Sequence, residues 1–194
     1  MDLLFFIENS ISTTIDVINI FCVHRLPSPP LVGSPQFGQY CDIDAANGRA
    51  VISDPTNNFA AVFSTVTMNE LVSVSEPYPV ISVSIQGNRL ATGVLRVPHN
   101  GRVTRYTVDY TTNTVSAGLT YIRTSDERYG GSIKICGDVV AVGAILEGPD
   151  NQGRIFALDF DTNTNTLLAE HPDNVYATND YMGQRVDWYD DVAR

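Results

Sequence analysis

Oxygen-bearing side chains alternate along Asp159-Phe160-Asp161-Thr162-Asn163-Thr164-Asn165, a spacing that gathers acceptors and would suit a hard cation such as calcium. Thr164 stands at the sixth loop position, where an EF-hand needs glycine. A turn is the preferred reading, because Asp109-Tyr110-Thr111-Thr112-Asn113-Thr114 has the same character and Asp and Asn favour turns for backbone reasons. The three histidines, His24, His99 and His171, share no spacing, and no serine sits in a GxSxG setting. The carboxylate pairs Asp126-Glu127 and Asp190-Asp191 fall at expected turns, where such pairs are solvated. Trp188 with Tyr181 and Tyr189 could form an aromatic patch, although packing between sheets is the preferred use of such rings. Nothing here assembles into a nucleophile with its base, so binding without catalysis is the expectation.

The elements that position these residues are short strands. Ser132–Cys136, a Gly137-Asp138 turn, Val139–Ala144 and Arg154–Phe160 are rich in Val, Ile and Phe and bounded by Gly, Asp or Asn, which predicts an antiparallel meander. The pattern recurs from Tyr78, with Gly87-Asn88 at the turn and Gly93 where Gly143 stands. It recurs more weakly from Phe37, with Asn47-Gly48 at the turn, and begins again at Tyr181. The aromatic starts Phe37, Tyr78, Tyr129 and Tyr181 are 41, 51 and 52 residues apart, a period that points to propeller blades rather than helical solenoids. The first copy predicts strands near Tyr40–Asp44, Arg49–Ser53, Phe59–Thr65 and Glu70–Ser75, and the second ends on Arg102–Tyr110 and Thr114–Ile122. Val139-Val140-Ala141-Val142 is apolar on both faces and needs cover on both, which neighbouring blades supply. Gly93 and Gly143 are expected where blades converge, in preference to a β-bulge that would leave the same trace.

Phe37-Gly38 opening a strand, the Gly137-Asp138 hairpin, Val140-Ala141-Val142-Gly143-Ala144 and Gly153-Arg154-Ile155-Phe156 together resemble the FG-GAP repeat of integrin-type β-propellers. The resemblance covers about residues 37–194. Pro79 replaces the opening glycine of the second copy, and Ser53-Asp54-Pro55 replaces the Gly-Ala-Pro triplet of the first. It implies an all-β fold, a partial β-propeller of about three four-stranded antiparallel blades (37–77, 78–128, 129–180) and a truncated fourth (181–194). It also implies an extracellular or cell-surface setting. Some repeats of this family carry a calcium loop on the first hairpin. The nearest match is Asp42-Ile43-Asp44-Ala45-Ala46-Asn47-Gly48, so Asp42 and Asp44 are the candidate calcium ligands, with Ala46 where an oxygen is needed.

Composition agrees with a globular, turn-rich β protein. Of 194 residues 43% are hydrophobic and 18% charged. The net charge of −10, with Lys134 the single lysine, argues against a nucleic-acid partner. Residues 1–36 lie outside the repeat: Leu3-Leu4-Phe5-Phe6-Ile7 is too short for a membrane span, and Leu26-Pro27-Ser28-Pro29-Pro30 reads as a linker. Cys22, Cys41 and Cys136 have no metal-ligand spacing and are expected as buried thiols without a disulfide.

The function expected is a non-catalytic interaction module that binds protein or glycan and makes up its missing blades through self-association, as part of a larger protein, or as an open arc completed by residues 1–36. Two alternatives remain open. One is a hydrolase or lyase with a metal at the propeller axis, drawing on Asp42, Asp44, His99, Glu147 and Asp150. The other is a truncated gene copy, which the abrupt end and the eroded first blade would fit.

Overall fold

A computed structural model describes residues 36–96, 100–123, 128–146, 153–170 and 182–187. The expectations for residues 1–35 lie outside these. The fold is all-β, and its strands form three antiparallel meanders.

The first sheet comprises β1 (Cys41–Asp44), β2 (Arg49–Asp54), β3 (Phe59–Ser64) and β4 (Glu70–Ser75) in sequential order. Both ends of β2 are made by the same Asp-x-x-Asn turn. Asp44 accepts from the backbone and side-chain amides of Asn47 at 3.2 and 2.8 Å, and Asp54 does so from Asn57 at 3.2 and 2.9 Å. Each is a side chain replacing the backbone partner that a tight turn leaves unpaired.

The second sheet contains β5 (Val80–Gln86), β6 (Arg89–Arg96), β7 (Asn100–Asp109) and two short strands on the outer side of β7, β8 (Thr114–Val115) and β9 (Leu119–Ile122). The single strand expected over Thr114–Ile122 is thus split, and the reason is local. At Gly118 the backbone crosses so close to β7 that a Cβ would stand 2.4 Å from Thr104 Cγ2. On the near side of the break Ser116 holds Thr107 through its own N–H and hydroxyl, both at 2.9 Å.

The third sheet runs β10 (Tyr129–Cys136), β11 (Val139–Ala144), β12 (Arg154–Asp159) and β13 (Asn165–Glu170). Beyond it, a parallel bridge joins Met182 to Gly153.

The sheets stack face to face as blades of a partial propeller, and two cores lie between them. Val51, Val62, Val72 and Val74 of the first sheet meet Val83, Ile85, Leu90 and Val108 of the second. Ala91 and Val103 on the opposite face of the second meet Ile133, Val140, Val142, Phe156 and Leu158 of the third. Each valine or leucine removed from water contributes about 1.5–3 kcal/mol. The middle sheet is therefore greasy on both sides, and the run from Val140 to Ala144 is buried throughout. Aromatic residues at two blade starts pack into these seams: Tyr129 is fully buried against Phe156, and Tyr78 packs against the first core.

Close approach and bulge coincide at the recurrent glycines. Gly93 and Gly143 each face a register shift in the strand before them. A Cβ on Gly93 would also lie 2.1 Å from the Gly130 carbonyl oxygen, and one on Gly143 would lie 1.9 Å from that of Gly183. The entry strand of the following blade runs over the glycine, and a serine hydroxyl seals each crossing. Ser82 donates to Gly130 O and Ser132 to Gly183 O, both at 2.7 Å.

Candidate functional site

Asp42, Ser84 and Lys134 occupy the same ladder position in the first strand of the three sheets, opposite Val51, Ala91 and Ala141. The three strands converge, so these side chains meet. Lys134 Nζ donates to Asp42 Oδ1 at 2.7 Å. Ser84 Oγ donates to Asp42 Oδ2 at 2.7 Å and itself accepts from the Ile135 amide at 3.0 Å. Asp42 also takes the amides of Ile43 and Ile85, each at 3.0 Å. Asp44, two residues along the strand, accepts from Gly87 N at 2.6 Å in addition to Asn47.

This arrangement decides how Asp42 and Asp44 suit calcium. Every carboxylate oxygen of the pair faces an N–H, an O–H or an ammonium, and a cation entering there would meet positive hydrogens rather than lone pairs. The two residues do not form a calcium cage as they stand. Among the described residues no group of three or more His, Cys, Asp or Glu gathers in a way that could hold a metal. A recess of about 270 Å³ opens beside the ion pair, between Cys41, Ser132, Lys134, Arg185 and Asp187. No disulfide joins Cys41 to Cys136. Contrary to expectation Cys41 is exposed and Cys136 only half-buried: Cys41 opens β1, and Cys136 closes β10 beside the Gly137-Asp138 turn.

The oxygen-rich hairpin at 159–163 does receive a cation, and that cation is an arginine. Arg105 on β7, only 2% exposed, sends Nη1 to the carbonyl oxygens of Asp159 and Thr162, Nη2 to Asn163 Oδ1, and Nε to Leu119 O at 3.2 Å. Burial lowers the Arg105 pKa, an effect countered by Tyr129, Asp159 and Asp161. Asp159 folds its carboxylate back onto its own turn, accepting from Asp161 N at 3.0 Å and Thr162 N at 2.7 Å, and the Thr162 hydroxyl and amide hold its pKa below the ordinary carboxylate range. Arg105 therefore rivets the second sheet to the third.

A further buried acid, Glu76, is also spent structurally. It accepts from Thr92 Oγ1 at 2.6 Å, the Tyr106 hydroxyl at 2.7 Å and Arg102 Nη2 at 2.8 Å.

The turn ends of the sheets carry a repeated clamp. Asp44 binds the amide of Gly87 and Arg49 Nη1 binds its carbonyl at 2.8 Å. One blade later, Gln86 Oε1 binds the amide of Gly137 at 2.7 Å and Arg89 Nη1 its carbonyl. Each arginine also lies over an aromatic ring of the next sheet, Arg49 over Tyr110 at 3.5 Å and Arg89 over Phe160 at 4.7 Å. The two clamps differ in their surroundings. Arg89 forms ion pairs with Asp138 at 2.7 Å and Asp161 at 3.4 Å. Around Arg49 the corresponding sequence places hold Asn88 and Thr111, and beside it opens a groove of about 660 Å³ lined by Asn47, Asn88, Asp109, Tyr110, Thr114 and Ser116 among others. Burial raises the Tyr110 pKa, and the neighbouring Arg49 guanidinium works against that rise. Asp109 is held charged below the usual carboxylate range by the Thr111 amide and the Thr112 hydroxyl.

Of the residues singled out from sequence, Asp42 and Asp44 share one strand and the 159–165 hairpin lies in another sheet. His24, His99, His171, Glu147, Asp150, Asp126, Glu127, Tyr181, Trp188, Tyr189, Asp190 and Asp191 lie outside the described residues. Sequence reading missed Arg49, Ser84, Arg105 and Lys134. The signal for Arg105 was visible as an arginine among Val103 and other apolar positions of a strand with no clean polar face. The sequence matches no protein-family model, and no curated protein matches it either. Among the described residues no helix is long and apolar enough to cross a membrane.

Proposed function

We propose that this chain is a non-catalytic binding module, built of FG-GAP-like propeller blades, that takes a protein or glycan ligand at the hairpin-turn end of its sheets. One observation carries the reading. Where the first strands converge, Asp42, Ser84 and Lys134 are consumed by one another, whereas the open polar groove lies at the turn end between the first and second sheets. Loops and turns on a rigid sheet scaffold are the usual carriers of recognition. The recurrent glycines and the blade-to-blade serine contacts support the repeat assignment.

The test is to probe glycan and peptide arrays with the purified full chain and to follow bound ligands by mass spectrometry. Saturable binding of an unaltered ligand, weakened by substitutions at Asn88 or Thr111, is the expected result. Absence of saturable binding on both arrays, or chemical conversion of the ligand, overturns it.

A further inference from the structure

The two arginine clamps are built alike and finished differently. Arg89 is neutralised by Asp138 and Asp161, and only 22% of its side chain is exposed. Arg49 keeps the carbonyl and the aromatic ring but, among the described residues, has no ion pair. Arg49 is half-buried and lines the open groove. The backbone explains why a groove forms here. Asn88 O accepts from Val108 N, and Asp138 O from Phe160 N, each at 2.8 Å. The aromatic under the arginine is therefore Phe160 itself in one case and Tyr110, two residues beyond Val108, in the other. The longer β7–β8 hairpin stands out past the sheet end and walls a groove that the shorter one does not make.

We propose that this groove binds an acidic sugar, a uronic-acid type residue whose carboxylate sits on Arg49 in the place that Asp138 fills at Arg89. The inference rests on the binding-module reading and names its ligand. A guanidinium edge offers two parallel N–H donors that match a carboxylate. The side-chain amide of Asn88, the hydroxyls of Thr114 and Ser116 and the charged Asp109 supply mixed donors and acceptors, which suit the ring hydroxyls of a sugar. A peptide is the poorer fit. The edge strand β8 has only two residues, too few for strand addition, and among the valines that line the groove Val108 is 2% exposed and Val115 half-buried.

The experiment is calorimetric titration of the full chain with digalacturonate, with the neutral digalactose and with a tetraglutamate peptide. Wild type and the variants Arg49→Gln, Asn88→Asp and Thr111→Asp are compared, after circular dichroism and thermal melting show each folded. Asn88 and Thr111 are exposed; Asn88→Asp keeps Arg49 and supplies the carboxylate that Asp138 gives Arg89, and Thr111→Asp adds a negative charge to the groove wall. The expected result is saturable digalacturonate binding, with digalactose and all three variants weaker by about tenfold or more. Equal binding of the neutral disaccharide, or undiminished binding by folded Arg49→Gln or Asn88→Asp, overturns the proposal. Binding of tetraglutamate in preference to either sugar also overturns it while leaving the binding module standing. Silence toward these probes and on the arrays alike removes both readings.

Discussion

Lys134 Nζ on the third sheet lies 2.7 Å from Asp42 Oδ1 on the first, two residues 92 positions apart, with the Ser84 hydroxyl of the middle sheet bonded to the other carboxylate oxygen. Asp42 is 14% and Lys134 27% exposed at the side chain, so solvent screens the pair only in part.

Asp42→Asn, which turns an acceptor toward the ammonium into a donor, is expected to destabilise the chain by about 2 kcal/mol. Lys134→Met is expected to cost less. Urea unfolding of both single variants and the double variant gives the coupling between them. A coupling near zero would mean that the pair does not hold the sheets.

Gly143→Ala and Gly137→Ala separate crowding from backbone conformation. The first places a Cβ 1.9 Å from the Gly183 carbonyl oxygen and is expected to cost about 3 kcal/mol or more. The second meets nothing within 4 Å and strains only a backbone at φ +55°, for about 1 kcal/mol. Thermal melts that rank them in the opposite order would refute the crossing of entry strand over glycine.

Arg105→Met leaves the carbonyls of Asp159 and Thr162 and the side chain of Asn163 without their donor. A loss of about 3 kcal/mol is expected, with Arg105→Lys recovering only part because one ammonium cannot span three acceptors. Amide hydrogen exchange should accelerate first in the 159–163 hairpin. Protection unchanged there would show that the rivet is dispensable.

Alkaline pH should unfold the chain through Tyr106. Burial, the neighbouring charge of Glu76 and the hydrogen bond to it raise the Tyr106 pKa far above its ordinary value. A raised folded-state value means that the stabilisation is complete below the unfolded tyrosine pKa of about 10 and is lost as pH climbs above it. Stability of the wild type should therefore fall above about pH 10 more steeply than that of Tyr106→Phe. Parallel curves for the two proteins would sink the assignment.

Local chemistry made much of this protein readable in one dimension. Runs such as Phe59–Ser64 and Val139–Ala144 alternate or saturate with Val, Ala and Phe, and their glycine and asparagine turns stop them where the strands end. The all-β meanders, their repetition and the glycines at blade crossings follow from rules that act over a few residues. The break at Gly118 escaped because it depends on Thr104 and Tyr106 across the sheet.

Partners were decided only in three dimensions. Asp42 and Asp44 look from sequence like two ligands of a cation, yet their oxygens are taken by Lys134, Ser84, Ile85 and Gly87 of other sheets. The Asp159 hairpin likewise accepts a guanidinium from 54 residues away. A side chain's type sets what it can bind, while the stacking of sheets sets what it meets. Stacking is driven by non-directional burial of valines and leucines, which leaves no mark of the polar contacts that it brings together.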